Sequence, residues 1–311
     1  MRQPTVRYHN AIMDSARWEG FPFRDGDIVI STPAKCGTTW TQTICALLIF
    51  QTPELPRPLD DITVWPDMKT RSQADVFAFY EAQQHRRIIK THTPFDGLPI
   101  HDGVTYLAVG RDPRDVALSW DAHFQNTDYD VVLKLRDEAV GNDDLTGELT
   151  DDAPPQLDSE YDRFWAWMEH PDVQIGLPSM LHHMSGFWAE RERSNVLLLH
   201  YDELKADLAG QMRAIAKQLG IEVPEQRWPE LVEAATFDSM RDRAKEFAPV
   251  LAMWRDPKQF FNRGVTGQWR DLLDDDDLQR YEEQVAKLAV PELVDWLHRG
   301  PITATATTAG H

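Results

Sequence analysis

Short runs of apolar residues alternate along the chain with stretches in which apolar positions recur every three or four residues. Residues 27–31 (DIVIS) follow an Asp25-Gly26 turn and stop before Pro33, which predicts a buried strand. Past that break Trp40, Ile44, Leu47 and Leu48 fall at helical spacing, so Thr38 to Phe50 reads as a helix. The same grammar recurs three times, with Arg86 to Lys90 (RRIIK), Val104 to Gly110 (VTYLAVG) and Val196 to Tyr201 (VLLLHY) as short strands. Asp112 before Pro113 reads as an N-cap with proline at the first helical position, starting a helix through Val116 and Ser119. Asp202 opens another helix that ends near Gly220. Apolar strands separated by helices imply a central parallel β-sheet flanked by helices, a three-layer α/β fold.

The 311 residues suit one α/β domain over residues 1–300. Between about Gln125 and Glu160 the chain turns acidic and turn-rich (GNDDLTGELTDDAPP), which predicts an exposed insertion, a loop or lid. Residues 301–311 lack periodicity and read as a disordered tail. A net charge of -19 repels nucleic acid and anionic membranes, so neither is an expected partner. The longest nearly apolar run, Ile44 to Phe50, is far short of the roughly 20 residues of a membrane span. No signal-peptide core is visible, so a cytoplasmic location is expected, and Cys36 and Cys45 are expected to be free thiols.

Three segments carry candidate chemistry, each where a predicted strand runs out. The first, TPAKCGTTW (Thr32 to Trp40), joins a strand to a helix start, where free backbone N–H groups and the helix dipole favour a phosphate. Lys35 adds charge, and Thr38 and Thr39 add hydroxyls; the plainer alternative is a connection in which Gly37 merely permits the turn. Lys35 precedes Gly37, whereas the nucleoside-triphosphatase loop places its lysine after the glycines, which argues against a magnesium-dependent kinase. The second, RRIIKTHTP (Arg86 to Pro94), puts Lys90 and His92 on one side of an extended chain. A neutral imidazole there can take a hydroxyl proton and an ammonium can stabilise a leaving oxygen, or His92 can be an ordinary loop histidine. The third, VGRDPRDVALS (Val109 to Ser119), offers Arg111 and Ser119 as a second anion site, unless Arg111 pairs with a carboxylate such as Asp115.

Together these segments resemble the cytosolic-type sulfotransferases, which use 3′-phosphoadenosine 5′-phosphosulfate (PAPS) and release 3′,5′-ADP, over about Asp25 to Leu273. The resemblance implies a P-loop-like fold that needs no metal. The family's P-K-S-G-T-T-W matches Lys35, Gly37, Thr38, Thr39 and Trp40 and implies 5′-phosphosulfate binding there, with Ala34 inserted and Cys36 in place of serine. Its K-T-H matches Lys90, Thr91 and His92, implying His92 as catalytic base, assisted at the sulfuryl group by Lys90 and at the leaving phosphate by Lys35. Its R-[ND]-P-[KR]-D-x-x-x-S implies that Arg111 and Ser119 hold the 3′-phosphate, while Tyr201 and Phe237 match adenine contacts. FFNRGVTGQW (Phe260 to Trp269) resembles the loop that closes over the 3′-phosphate, implying contacts from Arg263 and Gly264, with Asn262 where the family has arginine.

QHRRIIKTHTPFDGLP (Gln84 to Pro99), with GRDPRD, resembles bacterial members that sulfate glycolipids or related hydroxylated metabolites, so a small-molecule or glycolipid acceptor is expected. The dimer motif of many animal members, K-T-V-E, is absent; the stretch reads WRDLLDDDD. A small-molecule kinase using ATP and magnesium, or a catalytically silent nucleotide-binding protein, are the competing readings. His182 and His183 are adjacent, point apart on a helix, and make a poor metal pair. Asp274 to Asp277 reads as a solvated helix cap, and Trp65 and Phe95 as candidate acceptor-pocket residues.

Overall fold

Four strands, β1 (Ile28–Ser31), β2 (Ile88–Thr91), β3 (Thr105–Gly110) and β4 (Val196–His200), pair in parallel in the order β2-β1-β3-β4. In this computed structural model the described residues are 1–143, 145, 157–170, 175–248, 250–261 and 264–299. The register sets Ser31 level with Thr91 and Gly110 level with His200, so the strands run out along two matched edges. Strand order reverses between β1 and β3, which opens a crevice at their carboxyl ends. The chain leaves the sheet there at Thr32, His92, Arg111 and Tyr201.

β2 starts two residues later than its apolar run suggests. Arg87 is buried at the opposite edge of the sheet, where its Nε donates to Asp27 Oδ1 at 2.8 Å and its Nη2 to the Pro22 carbonyl at 2.7 Å. Its carbonyl still accepts from Ile28 N at 3.0 Å, just ahead of the paired strand.

Helices α1 (Thr38–Phe50), α2 (Gln73–Ala82), α3 (Pro113–Asn126), α4 (Tyr129–Val140), α5 (Glu160–Met168) and α6 (Gly176–Ala189) surround the sheet with α7 (Tyr201–Ala206) and α8 (Leu208–Gln218). α1 is buried on nearly every side, as its unbroken apolar run requires. α3 is capped as its sequence predicts, Asp112 accepting from the Arg114 N–H with Pro113 in the first turn. One cluster of buried side chains joins the sheet to the helices in a single α/β domain.

Three further expectations need correction. The helix from Asp202 to Gly220 is two helices: Asp207 leaves helical geometry (φ -143°, ψ 69°) and its side chain accepts from Gly210 N, so it ends one helix and caps the next. The cap of α7 is His200, whose Nδ1 accepts from Asp202 N at 3.2 Å. The stretch read as a loop or lid contains α4: Asp128 caps it, Val132 is buried, and the Arg136 guanidinium donates to Ala11 O at 2.6 Å and Asn142 Oδ1 at 2.9 Å. Residues 144 and 146–156 of that stretch, and the tail 301–311, lie outside the described residues. Asp274 does cap the helix Asp275–Leu288 in a capping box, but Asp277 is buried and accepts from Tyr161 Oη at 2.6 Å, so the acidic run is only partly solvated.

The N-terminal segment is tied down without a regular element. Arg2 N donates to Ile100 O and Thr5 N to Asp96 O, each at 2.7 Å, which brings Tyr8 to Met13 to the rim of the crevice. A small apolar group, Met68, Val132 and Met253 with Ile12, Trp65, Leu135 and Val250, packs beside it.

Candidate active site

The loop from Thr32 to Gly37 turns on two left-handed residues. Lys35 has φ 68° although it carries a side chain, and Gly37 has φ 103°. Gly37 caps α1 without any side-chain hydrogen bond, so the first amides of α1 keep the free donors that suit an anion. A Cβ on Gly37 would sit 3.2 Å from the Tyr201 ring, so glycine serves both the turn and that close approach. The Thr32 and Thr38 hydroxyls bond each other, and Trp40 Nε1 donates to Ala235 O at 2.8 Å, bracing the start of the helix. Burial, reinforced by the Arg111 charge, pulls the Lys35 ammonium down to about 7, a cost that an anion would relieve. Burial pushes the neighbouring Cys36 thiol up to about 12, and both cysteines are free.

At the end of β2, Lys90 is 2% exposed, with Nζ 4.6 Å from the centroid of the Trp65 ring. Burial pulls it too down to about 7. His92 Nδ1 lies 2.6 Å from the Thr32 carbonyl, which can only accept, so the proton sits on Nδ1 and Nε2 keeps its lone pair. The ring stands edge-on to Trp65 at 4.7 Å. Burial holds the imidazole near 4, with the Thr32 carbonyl opposing, so it is neutral at physiological pH. Beneath it the buried Asp67 carboxylate accepts from the Thr91 hydroxyl and from Thr93 Oγ1 at 2.6 Å, fixing the turn that carries His92. His183 reaches the same turn from α6, with Nε2 3.2 Å from Ser31 Oγ, and burial holds it near 3.

At the end of β3, Arg111 donates from Nη1 to the Lys35 carbonyl at 2.9 Å and lies 4.3 Å from the Tyr201 ring centroid. Its Nε is buried with no hydrogen-bond partner, a vacancy that an anion would fill. Asp115 does not form an ion pair with it: that carboxylate accepts from Gly267 N at 2.8 and 2.9 Å, drawing the C-terminal loop down onto α3. In the same loop Gly264 has φ 62°, and a Cβ there would strike the Phe237 ring at 2.8 Å. Gly264 therefore packs directly against that ring.

These groups line one cavity of about 1130 Å³. It gathers Lys35, Gly37, Thr38, Thr39, Trp40, Lys90, His92, Arg111, Ser119, Tyr201, Phe237 and Gly264. Arg263 and Asn262 lie outside the described residues. Trp65 lines the cavity; Phe95 does not, being packed into the core against Phe187 and beneath Arg2. His182 bonds Tyr8 Oη at 2.7 Å and Asp96 Oδ2 at 3.2 Å, away from the buried His183, so the pair does diverge. Sequence reasoning missed His123 and the wall from Tyr8 to Met13, and named His183 and Phe260 without giving either side chain a place in the site. His123 was the findable one, standing four residues after Ser119 and therefore on the same helix face.

Lys35 with the free amides of α1, Arg111, and a neutral His92 meet in a crevice at the switch point of a parallel sheet, an arrangement suited to an anionic nucleotide and a group transfer. The chain belongs to the sulfotransferase family, whose Sulfotransferase domain model matches residues 25–291. It is 38% identical over 315 residues to a glycolipid sulfotransferase of Mycobacterium bovis, covering 95% of this chain and 94% of that protein. Sulfotransferase 1A1 of Rattus norvegicus is 24% identical over 271 residues, with 84% of each chain covered. Two solved structures share the fold. Mouse sulfotransferase SULT7A1 complexed with PAP has a TM-score of 0.65 at 19% identity over 92% of this chain and 93% of that one. Retinol dehydratase in a complex with retinol and PAP has a TM-score of 0.64 at 20% identity over 88% and 86%.

Proposed function

We propose that the protein transfers a sulfuryl group from PAPS to the hydroxyl of a small-molecule or glycolipid acceptor, leaving 3′,5′-ADP (PAP). The observation that carries this reading is the convergence, in one cavity, of a capless helix start with Lys35, an Arg111 with a buried unpaired Nε, and a neutral His92 with Nε2 free. The loop amides and Lys35 take the 5′-phosphosulfate; Arg111 and Ser119 take the 3′-phosphate; Tyr201, Trp40, Phe237 and the Gly264 backbone enclose the adenosine. His92 Nε2 accepts the acceptor's hydroxyl proton as its oxygen bonds to sulfur, the bridging S–O bond breaks, and its electron pair stays on the 5′-phosphate. Lys35, Lys90 and the amides of α1 stabilise that oxygen, an electrostatic role for prearranged donors.

The acceptor enters from the opposite wall, where Ile12, Met13, Met68 and Val132 supply an apolar lining. That lining, with 38% identity to proteins named as glycolipid sulfotransferases, supports an acceptor carrying an apolar body beside its hydroxyl. No helix among the described residues is long and apolar enough to cross a membrane, and two buried free thiols suit the reducing cytoplasm. Incubation with labelled PAPS and a panel of glycolipids, phenols and alcohols tests the reading. Label transfer that requires PAPS supports it; turnover with ATP and magnesium in place of PAPS favours a kinase instead. Tight PAP binding without transfer to any acceptor favours a silent nucleotide-binding protein.

A further inference from the structure

His123 stands one turn beyond Ser119 on the same face of α3 and has no part in the chemistry above. Its Nδ1 lies 3.2 Å from Lys35 Nζ. An ammonium has only donors, so Lys35 donates and the imidazole accepts, which places the ring proton on Nε2. Lys35 Nζ also lies 5.0 Å from the centroid of the Phe260 ring. The imidazole is enclosed by Trp254 at 4.9 Å, Trp120 at 5.7 Å and Phe260 at 6.3 Å, between ring centroids.

Two of those rings belong to a strap that is stitched to the end of α3. Asp128 N donates to Met253 O at 2.8 Å, Arg255 N to Asn126 O at 2.9 Å, and Asp256 N to Asn126 Oδ1 at 2.9 Å. The titratable groups acting on His123 are Lys35, from the loop after β1, and His92, from the end of β2. Burial and those two groups hold it well below its usual range, so it stays neutral at physiological pH.

We propose that His123 is a positioning residue for sulfuryl transfer, holding the Lys35 ammonium by one N–H so that the other two remain for the donor's leaving phosphate. A lysine on a flexible four-carbon stem loses much rotamer freedom when it is aimed at an anion. Here the aim is set in advance, the side chain by His123 and Phe260 and the backbone by the Arg111 bond to the Lys35 carbonyl. Because Arg111 lies in the second anion pocket, both ends of the donor site are referred to one lysine.

This inference rests on the proposed sulfotransferase reading, and the test separates the two. Wild-type protein, His123→Leu and His123→Asn are compared by PAP calorimetry and by PAPS turnover with a fixed acceptor, after thermal melts establish folding. Asparagine keeps an acceptor near the place of Nδ1; leucine does not. His123→Leu is expected to lower kcat about tenfold, the order of one charge-assisted hydrogen bond, with acceptor KM within about twofold and His123→Asn within about threefold of wild type. A raised acceptor KM with unchanged kcat, or an asparagine variant as slow as the leucine one, would overturn the inference alone. Wild-type protein that binds no PAP would overturn the underlying reading and the inference with it.

Discussion

His92 meets the first requirement of the proposed base, a free lone pair on Nε2, because the Thr32 carbonyl claims the proton on the other nitrogen. Its neutrality is a consequence of burial rather than of any single partner. His92→Ala is expected to lower turnover by about 10²- to 10⁴-fold while PAP affinity measured by calorimetry stays unchanged. Retained turnover would remove His92 from the chemistry. Arg111 carries a different kind of term. Its Nε is unpaired and its Nη1 donates to the Lys35 carbonyl, so its proposed part is to bind the donor's phosphate rather than to take part in the chemical step. Arg111→Ala is expected to weaken PAP by about 1.5–3 kcal/mol, the range for a hydrogen bond to a charged group. An unchanged dissociation constant would move the 3′-phosphate elsewhere.

The elements matter through where they end. β1 and β2 finish level, as do β3 and β4, so residues far apart in sequence meet without long side chains. Gly37 is the joint that turns β1 into α1. Gly37→Ala would force a side chain into a left-handed conformation and against Tyr201, at a cost of about 1–2 kcal/mol from the backbone. Denaturant melts are expected to show that loss, together with weaker PAP binding; a variant with wild-type stability would contradict the strain. This level was legible in the sequence because strands and cradle are local signals: an apolar run, a break, a capless helix start. The four strands, α1 and the Asp112 cap of α3 follow from it. α4 was hidden because the acidic residues after Val140 set the composition of the region, while the residues that fasten the helix, Ala11 and Met253, lie far away in sequence. The wall from Tyr8 to Met13 was hidden for the same reason, since it is held by backbone bonds to distant residues, Lys69 N to Ile12 O and, just before it, Thr5 N to Asp96 O, that leave no periodicity to read. Phe95 illustrates the converse, an aromatic beside a catalytic motif that turns into the core.

At the scale of the molecule, a chain of net charge -19 gathers Lys35, Lys90 and Arg111 in one cavity that is also lined by the neutral imidazoles of His92, His123 and His183. The imidazoles leave a signature in stability. The folded values of His92 and His183 lie near 4 and 3, below the ordinary 6.5, so between pH 6.5 and 4 the unfolded chain binds more protons. Their contribution is therefore present above pH 6.5 and lost as pH falls. Denaturant midpoints are expected to drop between pH 7 and pH 5, and His92→Gln should reduce the drop; an equal drop in that variant would deny His92 its part. In the proposed complex one nucleotide spans the pockets at the ends of β1 and β3 and presents its sulfur end to His92. A crystal structure of the PAP complex tests this directly. The prediction is a 5′-phosphate within hydrogen-bond reach of Lys35 Nζ and the first amides of α1, with the 3′-phosphate on Arg111 and Ser119. A nucleotide bound away from Lys35, or with its phosphates in exchanged pockets, would contradict it.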